Sequence, residues 1–214
     1  MNSNQINGYK WANAELNTSH GYLLPAVFDE LNLIGKKLQK FNNEKKIFEL
    51  GCGNGSVSSV LERCGWDVTG IDPSIEGITQ ANTKYPNIKL HEGSAYDDLV
   101  KIYGQYPVVT SLEVVEHLYD PRSYAKNLYN LLQHGGTAII STPYHGYIKN
   151  IALALTGNMD KHFTVLWDHG HIKFWSIETL KFLLEEAGFV DIHFKRVGRI
   201  PILAKSMIAI ATKP

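Results

Sequence analysis

The stretch FELGCGNGS (residues 48–56) joins an apolar run to three glycines at alternate positions, Gly51, Gly53 and Gly55. Its apolar start is typical of a short buried strand and contains one acid, Glu49. Glycine tolerates positive φ angles and lets a ligand approach the backbone, because it carries no Cβ atom. The stretch therefore predicts a strand that ends in a ligand-binding turn.

Strand and helix patterns alternate on both sides of this turn. Helices are predicted over 22–40, 55–64, from Ser74 to before Pro86, and over 121–133 and 177–187. Strands are predicted at 46–50, 66–72, 88–93, 106–114, 137–142, 189–196 and 205–212. This alternation favours βαβ units, and the last two strands, with no helix between them, favour an antiparallel pair. We expect an α/β fold with a Rossmann-like, doubly wound seven-stranded sheet, mostly parallel with an antiparallel edge pair.

The spacing of apolar residues also predicts which side chains face the core. From helix 55–64 these are Val57, Val60, Leu61 and Cys64, and from the helix after Ser74 they are Ile75, Ile78 and Ala81.

Composition narrows the class of protein. The chain has 214 residues with 21 basic and 21 acidic side chains, so no net charge draws it to nucleic acid. Its two cysteines make no disulfide framework, which suits a reducing compartment. The N-terminus is polar, without a signal pattern, and the aliphatic run at 151–155 is too short to span a bilayer. A cytoplasmic protein without a membrane span or a nucleic-acid partner is expected.

A second acid indicates which class of ligand the turn binds. Asp72 ends the second strand seventeen residues after Gly55, where a carboxylate can bind a ribose diol. In the dinucleotide fingerprint G-x-G-x-x-G the third glycine would stand where this chain has Ser56. Glu49 would repel a pyrophosphate but suits a cation. The pattern therefore favours an adenosine-containing cofactor with a positive charge over a nicotinamide dinucleotide.

Four motifs in order, FELGCGNGS, VTGIDPS, VVTSLEVVEHLYDP and LLQHGGTAIISTP, resemble those of the class I S-adenosylmethionine-dependent methyltransferases. The resemblance covers 45–142 closely and 176–212 by pattern. It implies that the glycine turn holds the methionine end. Cys52 within the turn is expected to be a small neutral filler, because no pattern of basic residues around it supports a redox or nucleophilic thiol. The positions that would bind S-adenosylmethionine are Glu49, Gly51, Cys52, Gly53, Gly55, Asp72, Pro73, Ser94, Ala95, Leu112 and Glu113.

Glu113, Glu116 and His117 stand at i, i+3 and i+4. If the chain is helical there, they share one face and can hold a divalent ion such as Mg²⁺ or Mn²⁺. The arrangement resembles E-x-x-E-H of the ubiquinone-biosynthesis O-methyltransferases and of small-RNA 2′-O-methyltransferases, in which His171 would match a further ligand. The alternative is that Glu113 faces the cofactor, Glu116 is solvated and His117 acts as a base or positioning group without metal.

The stretch 143–175 reads as irregular and is rich in aromatic residues, so we expect a lid over the acceptor. Candidates for touching substrate are His145, Tyr147, His162, His169 and His171, with His117, His145 and His171 as catalytic candidates. Each of these histidines has the alternative of a packed or surface side chain. A second lid is expected from the N-terminal segment, which carries Tyr9, Trp11, His20 and Tyr22.

The chain is expected to form one domain: an N-terminal cap (1–44), a cofactor core (45–142), the lid (143–175) and a C-terminal helix with a strand pair (176–214). The predicted function is methyl transfer to a small-molecule hydroxyl, with quinone or phenol precursors as the best analogue, by a monomer or homodimer. The arginine found before the core in the ubiquinone enzymes is missing from TSHGYLLP (18–25). Alternatives are an N-, C- or RNA-directed methyltransferase, a non-catalytic cofactor-binding protein, and an NAD(P)-dependent oxidoreductase, which the loop spacing disfavours.

Overall fold

The computed structural model describes residues 13–41, 43–168 and 170–214. Tyr9, Trp11 and His169 lie outside these ranges. The strands are β1 (Lys46–Leu50), β2 (Asp67–Asp72), β3 (Lys89–Glu92), β4 (Tyr106–Leu112), β5 (Leu132–Pro143), β6 (Val190–Val197) and β7 (Ser206–Thr212). The helices are α1 (His20–Lys40), α2 (Ser56–Arg63), α3 (Ile75–Lys84), α4 (Leu99–Tyr103), α5 (Pro121–Leu131), α6 (Tyr147–Leu155), α7 (Met159–Phe163) and α8 (Ile177–Glu186).

The strands form one sheet in the order β3-β2-β1-β4-β5-β7-β6. The first five pair in parallel, and β7 lies antiparallel between β5 and β6. The predicted seven-stranded, mostly parallel α/β sheet is therefore confirmed. Chain order reverses between β1 and β4, and ligands of such sheets bind beyond the carboxyl ends of the strands at this point.

Helices cover both faces of the sheet. Residues of α1, α2 and α3 form one apolar cluster with the sheet, and residues of α4, α5 and α8 form the other. Within the described ranges, no helix combines the length and apolarity of a bilayer span.

Two predicted core contacts are wrong. Cys64 is exposed, because α2 ends at Arg63 and the thiol follows on the helix cap. Ile75 is 40% exposed because it opens the first turn of α3, directly after the Ser74 side chain that accepts from Gly77 N–H. Buried serines, Ser58 and Ser59, occupy part of the inner face of α2 instead.

Some element bounds also differ from the prediction. The helix expected to run to residue 133 stops at Leu131, and HGG (134–136) belongs to β5. The stretch expected to be irregular contains α6 and α7. The aliphatic sequence of α6 has good helix formers, but its position among aromatic and histidine residues hid that pattern.

Candidate functional site

A cavity of about 510 Å³ opens beyond the carboxyl ends of β1, β2 and β4. Most of the sequence-predicted cofactor residues line it: Glu49, Gly51, Cys52, Gly53, Asp72, Pro73, Ser94, Ala95, Leu112 and Glu113. His117 and His171 line it as well. Gly55, Glu116 and His145 are not part of its wall.

The glycine turn is shaped by positive φ angles and close packing. Gly51 has φ +88°, and a Cβ atom there would lie 2.4 Å from Cγ2 of Val114. The backbone N–H groups of Gly51 and Cys52 both donate to the carbonyl oxygen of Ile71, which fixes the turn against β2. Gly55 serves packing, since a Cβ atom there would lie 2.7 Å from the Leu90 side chain.

Asp72 is buried and held by two backbone donors. Its Oδ2 accepts from Gly53 N–H at 2.9 Å and its Oδ1 from Ser74 N–H at 2.8 Å. Burial raises the pKa of Asp72 to about 6, although these two hydrogen bonds oppose the rise. The carboxylate therefore links the glycine turn to the start of α3 and faces the cavity.

Glu49 is a second buried acid in the same wall. Burial, together with the charge of Asp72, raises its pKa to about 8, while a hydrogen bond from the Ser58 hydroxyl opposes that rise. A carboxyl with so high a pKa lacks compensating positive charge, so a cationic ligand would be stabilised beside it. Burial also raises the pKa of the Cys52 thiol, which keeps it protonated and unreactive at neutral pH.

Several cavity residues were missed by the sequence reasoning. Tyr96 follows Ser94 and Ala95 in the wall. It could have been predicted, because it is an aromatic residue directly after two predicted cofactor contacts. Asn17, Ser19 and His20 enter from the N-terminal segment; of these, only His20 was predicted to belong to a lid.

The segment before α1 is tied across the glycine turn. The side-chain amide of Asn54 donates to the carbonyl oxygens of Asn13 at 2.7 Å and Glu15 at 3.2 Å. The hydroxyl of Tyr85 donates to the carbonyl of Ala14 at 2.7 Å. Lys84 also reaches this segment, through the Ala14 carbonyl and the Glu15 carboxylate. These contacts bring the N-terminal segment to the cavity mouth.

Three rings meet at the other end of the cavity. The imidazole of His117 lies 4.8 Å from that of His171 and 5.8 Å from the indole of Trp167, measured between centroids. The Glu116 carbonyl accepts from the N–H groups of Ile172 and Lys173, at 2.9 and 3.0 Å, which brings the stretch 143–175, here called the insertion, to this place. Burial lowers the pKa of His171 to about 4, helped by the nearby His117 and His162.

Glu116, His117 and His171 form a group with metal-ligating atoms within 4.8 Å of one another. Glu116 is 1% exposed, and neither carboxyl oxygen accepts a hydrogen bond within normal limits from the residues described. Its Oε1 lies 3.9 Å from Nε2 of His171. Burial and the charge of Glu113 raise the pKa of Glu116 well above its ordinary value. The alternative that Glu116 is solvated is therefore wrong.

Glu113 does not join that group, so the predicted common helical face is wrong. The chain forms only a 3-10 turn over Val115–His117, and Glu113 precedes it with φ +56°. Its carboxylate accepts from the hydroxyls of Ser141 at 2.8 Å and Ser206 at 3.4 Å. Burial raises its pKa to about 7. A strained residue at the cavity wall is consistent with a functional position.

His145 lies away from the cavity in an aromatic cluster of the insertion. Its ring is 5.1 Å from the rings of His162 and Phe174 and 6.0 Å from that of Phe163. Burial lowers its pKa to about 4. Tyr147 is exposed on α6.

Comparison with known proteins agrees with this geometry. A family model described as "Methyltransferase domain" matches residues 20–193. A ubiquinone biosynthesis O-methyltransferase of Psychrobacter arcticus is 30% identical over 177 residues, covering 76% of this chain and 68% of the relative. Another from Ruegeria sp. is 30% identical over 172 residues, covering 77% and 68%.

Solved structures show the same fold. The methyltransferase domain of bacterial CtHen1 has a TM-score of 0.60 at 23% identity, covering 86% of this chain and 97% of that one. A SAM-dependent methyltransferase from Archaeoglobus fulgidus has a TM-score of 0.60 at 18% identity, covering 86% and 94%. With the match to most of its length and the cavity at the strand ends, the chain belongs to the class I S-adenosylmethionine-dependent methyltransferases.

Proposed function

We propose that this enzyme transfers a methyl group from S-adenosylmethionine to a hydroxyl oxygen of a small molecule. The observation that carries the proposal is that one cavity joins Glu49 and Asp72 at one end to His117 and His171 at the other. The first pair suits a cationic cofactor, and the second pair suits an acceptor that must lose a proton.

The cofactor end fits S-adenosylmethionine by charge. When bound, this cofactor supplies a methyl group already activated by a positively charged sulfur. Glu49 and Asp72 are buried acids with raised pKa values, about 8 and about 6, so both gain from a positive charge nearby. Asp72, fixed by two backbone donors, would accept hydrogen bonds from a ribose diol, and the glycine turn would leave space for the ligand. Holding the reactants aligned supplies much of the rate enhancement in such a displacement.

The histidines provide a place for the acceptor proton. Nδ1 of His117 lies 3.2 Å from the carbonyl oxygen of Gly170, and a proton on Nδ1 that is donated to this carbonyl leaves the lone pair on Nε2. His171, with a pKa of about 4, is neutral at pH 7 but a weak base, so His117 is the proton acceptor that we propose. Hydroxyl groups need such a base, or a metal ion, before they attack a methyl carbon. This need favours oxygen as the atom methylated.

The relatives support the acceptor class. Those from Psychrobacter arcticus and Ruegeria sp. carry the name ubiquinone biosynthesis O-methyltransferase. A quinone- or phenol-type hydroxyl is therefore the first acceptor to test. The resemblance to the ubiquinone enzymes implies an arginine in the stretch 18–25, and this chain has none there, so we propose an acceptor class and not the ubiquinone precursor itself.

A divalent metal ion fits beside the acceptor end. Glu116, His117 and His171 would hold it, and it would replace the histidine base by lowering the pKa of an acceptor hydroxyl. The observation that favours a cation there is the buried Glu116 carboxyl, whose oxygens accept no hydrogen bond of normal geometry from the described residues. One carboxylate and two imidazoles suit Mn²⁺, Fe²⁺ or Zn²⁺ better than Mg²⁺, which prefers oxygen ligands. The Mg²⁺ expectation depended on Glu113, which lies outside the group.

Release of S-adenosylhomocysteine over a panel of catechols, quinols, aliphatic alcohols and amines tests the function. We expect turnover with hydroxyl acceptors and, by calorimetry, binding of S-adenosylmethionine but not of NADH. Cofactor binding without turnover of any compound in the panel would favour a non-catalytic cofactor-binding protein. Turnover of amines alone would favour an N-methyltransferase. NADH binding without S-adenosylmethionine binding would contradict the proposal entirely.

The metal is tested separately. Dialysis against EDTA is expected to lower turnover at least tenfold, and Mn²⁺ is expected to restore it better than Mg²⁺. His171→Ala should abolish Mn²⁺ binding measured by calorimetry, while His193→Ala, on the exposed strand β6, serves as the matched control. Full activity after EDTA, together with no measurable Mn²⁺ binding, would leave the histidines as bases without metal.

A further inference from the structure

We infer that the indole of Trp167 is the surface on which the ring of the methyl acceptor stacks, so that the enzyme selects aromatic over aliphatic hydroxyl compounds. This inference rests on the proposed function and names the residue that sets its substrate class. Trp167 belongs to the insertion and lies outside the four methyltransferase-like motifs.

The position of Trp167 in the cavity is the first observation. Among the described residues of the wall, Tyr96 and Trp167 are the only ones of the Phe, Tyr and Trp types. Tyr96 follows Ser94 and Ala95 at the cofactor end. Trp167 lies at the acceptor end, with its ring 5.4 Å from that of His171. An acceptor within reach of the histidines is therefore within reach of the indole.

The backbone around Trp167 is the second observation. Its N–H donates to the Thr164 carbonyl, and its own carbonyl accepts from Gly170 N–H, both at 2.9 Å. A Cβ atom on Gly170 would lie 2.9 Å from the Trp167 ring, so this position requires glycine for the indole to pack as it does. The Gly170 carbonyl is also the partner of His117 Nδ1. One turn thus sets both the indole and the imidazole.

The setting of this turn argues against a purely structural role. Val165 and Leu166 are 84% and 93% exposed, so the turn does not fill the protein core. Trp167 itself is 36% exposed. Its ring contacts that of His117 edge-on, at an interplanar angle of 83°. A partly exposed indole in the wall of a cavity can contact a ligand that enters the cavity. A planar aromatic ring is the kind of ligand that an indole side chain stabilises by stacking.

Substitutions at Trp167 test the inference, with catechol and its saturated counterpart 1,2-cyclohexanediol as the probes. Trp167→Leu is expected to raise KM for catechol about tenfold with little change in kcat, since stacking contributes to binding. Trp167→Phe, which keeps a ring, should stay within about threefold of the wild type. Leu166→Ala, one residue away and nearly fully exposed, is the matched control and should change nothing.

Fluorescence supplies a readout that does not need turnover. The chain has four tryptophans, and the quenching by catechol that disappears in Trp167→Phe belongs to Trp167. Saturable quenching in a wild type that methylates no hydroxyl compound would support the inference while the proposed function fails. An unchanged KM for catechol in Trp167→Leu, or an equal loss for 1,2-cyclohexanediol, would overturn it. So would the absence of Trp167 quenching in the wild type.

Discussion

The two ends of the cavity are built in different ways. The cofactor end consists of strand termini and a glycine turn whose side chains are buried and tied to backbone groups, as the contacts of Asp72 with Gly53 and Ser74 illustrate. The acceptor end depends on the insertion, where Val165 and Leu166 are exposed and Trp167 is held by one turn. A rigid site suits one unvarying cofactor, and a site on a surface segment can change its acceptor without disturbing the sheet.

The largest effect is expected at Asp72. Asp72→Ala removes both acceptors for Gly53 and Ser74 N–H, so the turn loses its anchor and a cofactor hydroxyl loses its partner. We expect the Kd for S-adenosylmethionine to rise about a hundredfold or more by calorimetry. Asp67→Asn, exposed at the start of the same strand and paired with Lys89, is the control and should stay within about twofold. Equal losses in both variants would mean that the strand, not the site, was damaged.

This contrast also explains what the sequence could predict. The strand, glycine turn and Asp72 follow from local rules of periodicity and φ, and the cavity collects ten of the eleven expected cofactor residues. The exception, Gly55, packs against Leu90 of β3, a contact that no local rule contains. The prediction that Glu113 shares a helical face with Glu116 and His117 failed because its φ of +56° is not helical. The meeting of Trp167 with His117 depends on backbone bonds between Glu116 and residues more than fifty positions later.

The next largest effect is expected in the pH dependence of S-adenosylmethionine binding, which involves the cofactor end alone. A cation beside Glu49 favours its ionised form, so binding must displace a proton below its pKa of about 8. We expect the affinity for S-adenosylmethionine to rise about tenfold per pH unit as pH approaches 8, and then to level off. Glu49→Gln should flatten this dependence and, at pH 8.5, weaken binding about ten- to hundredfold. Glu62→Gln, exposed on α2, is the matched control.

For the protein without cofactor, the raised pKa of Glu49 predicts that stability changes with pH in the opposite direction to cofactor affinity. The folded state binds the Glu49 proton up to about pH 8, whereas the unfolded chain releases it near its ordinary value of 4.5. The folded state therefore loses stability as pH rises through that window. Urea unfolding without cofactor should show this slope in the wild type and less of it in Glu49→Gln. A Kd independent of pH between 6 and 8.5 in the wild type would contradict the role given to Glu49.

The smallest effect is expected at His145, which the sequence suggested as catalytic but which lies outside the cavity. His145→Phe should leave the Kd for S-adenosylmethionine unchanged and turnover within about twofold, because Phe163 and Phe174 already surround the ring. Burial lowers its pKa to about 4, whereas the unfolded chain protonates it near 6.5. The wild type therefore loses stability as pH falls from 6.5 toward 4, and the variant should avoid about 1 kcal/mol of that loss at pH 5 after allowance for solvent screening.

Urea unfolding at pH 7 and pH 5 measures the acid dependence of stability, and turnover at pH 7 measures the activity of His145→Phe. A tenfold loss of kcat in His145→Phe at unchanged stability would extend the acceptor end into the aromatic cluster of the insertion. The boundary between the two ends would then have to include α6 and α7. A change in the acid dependence of stability with full activity would instead confine the chemistry to His117 and His171, beside the indole of Trp167.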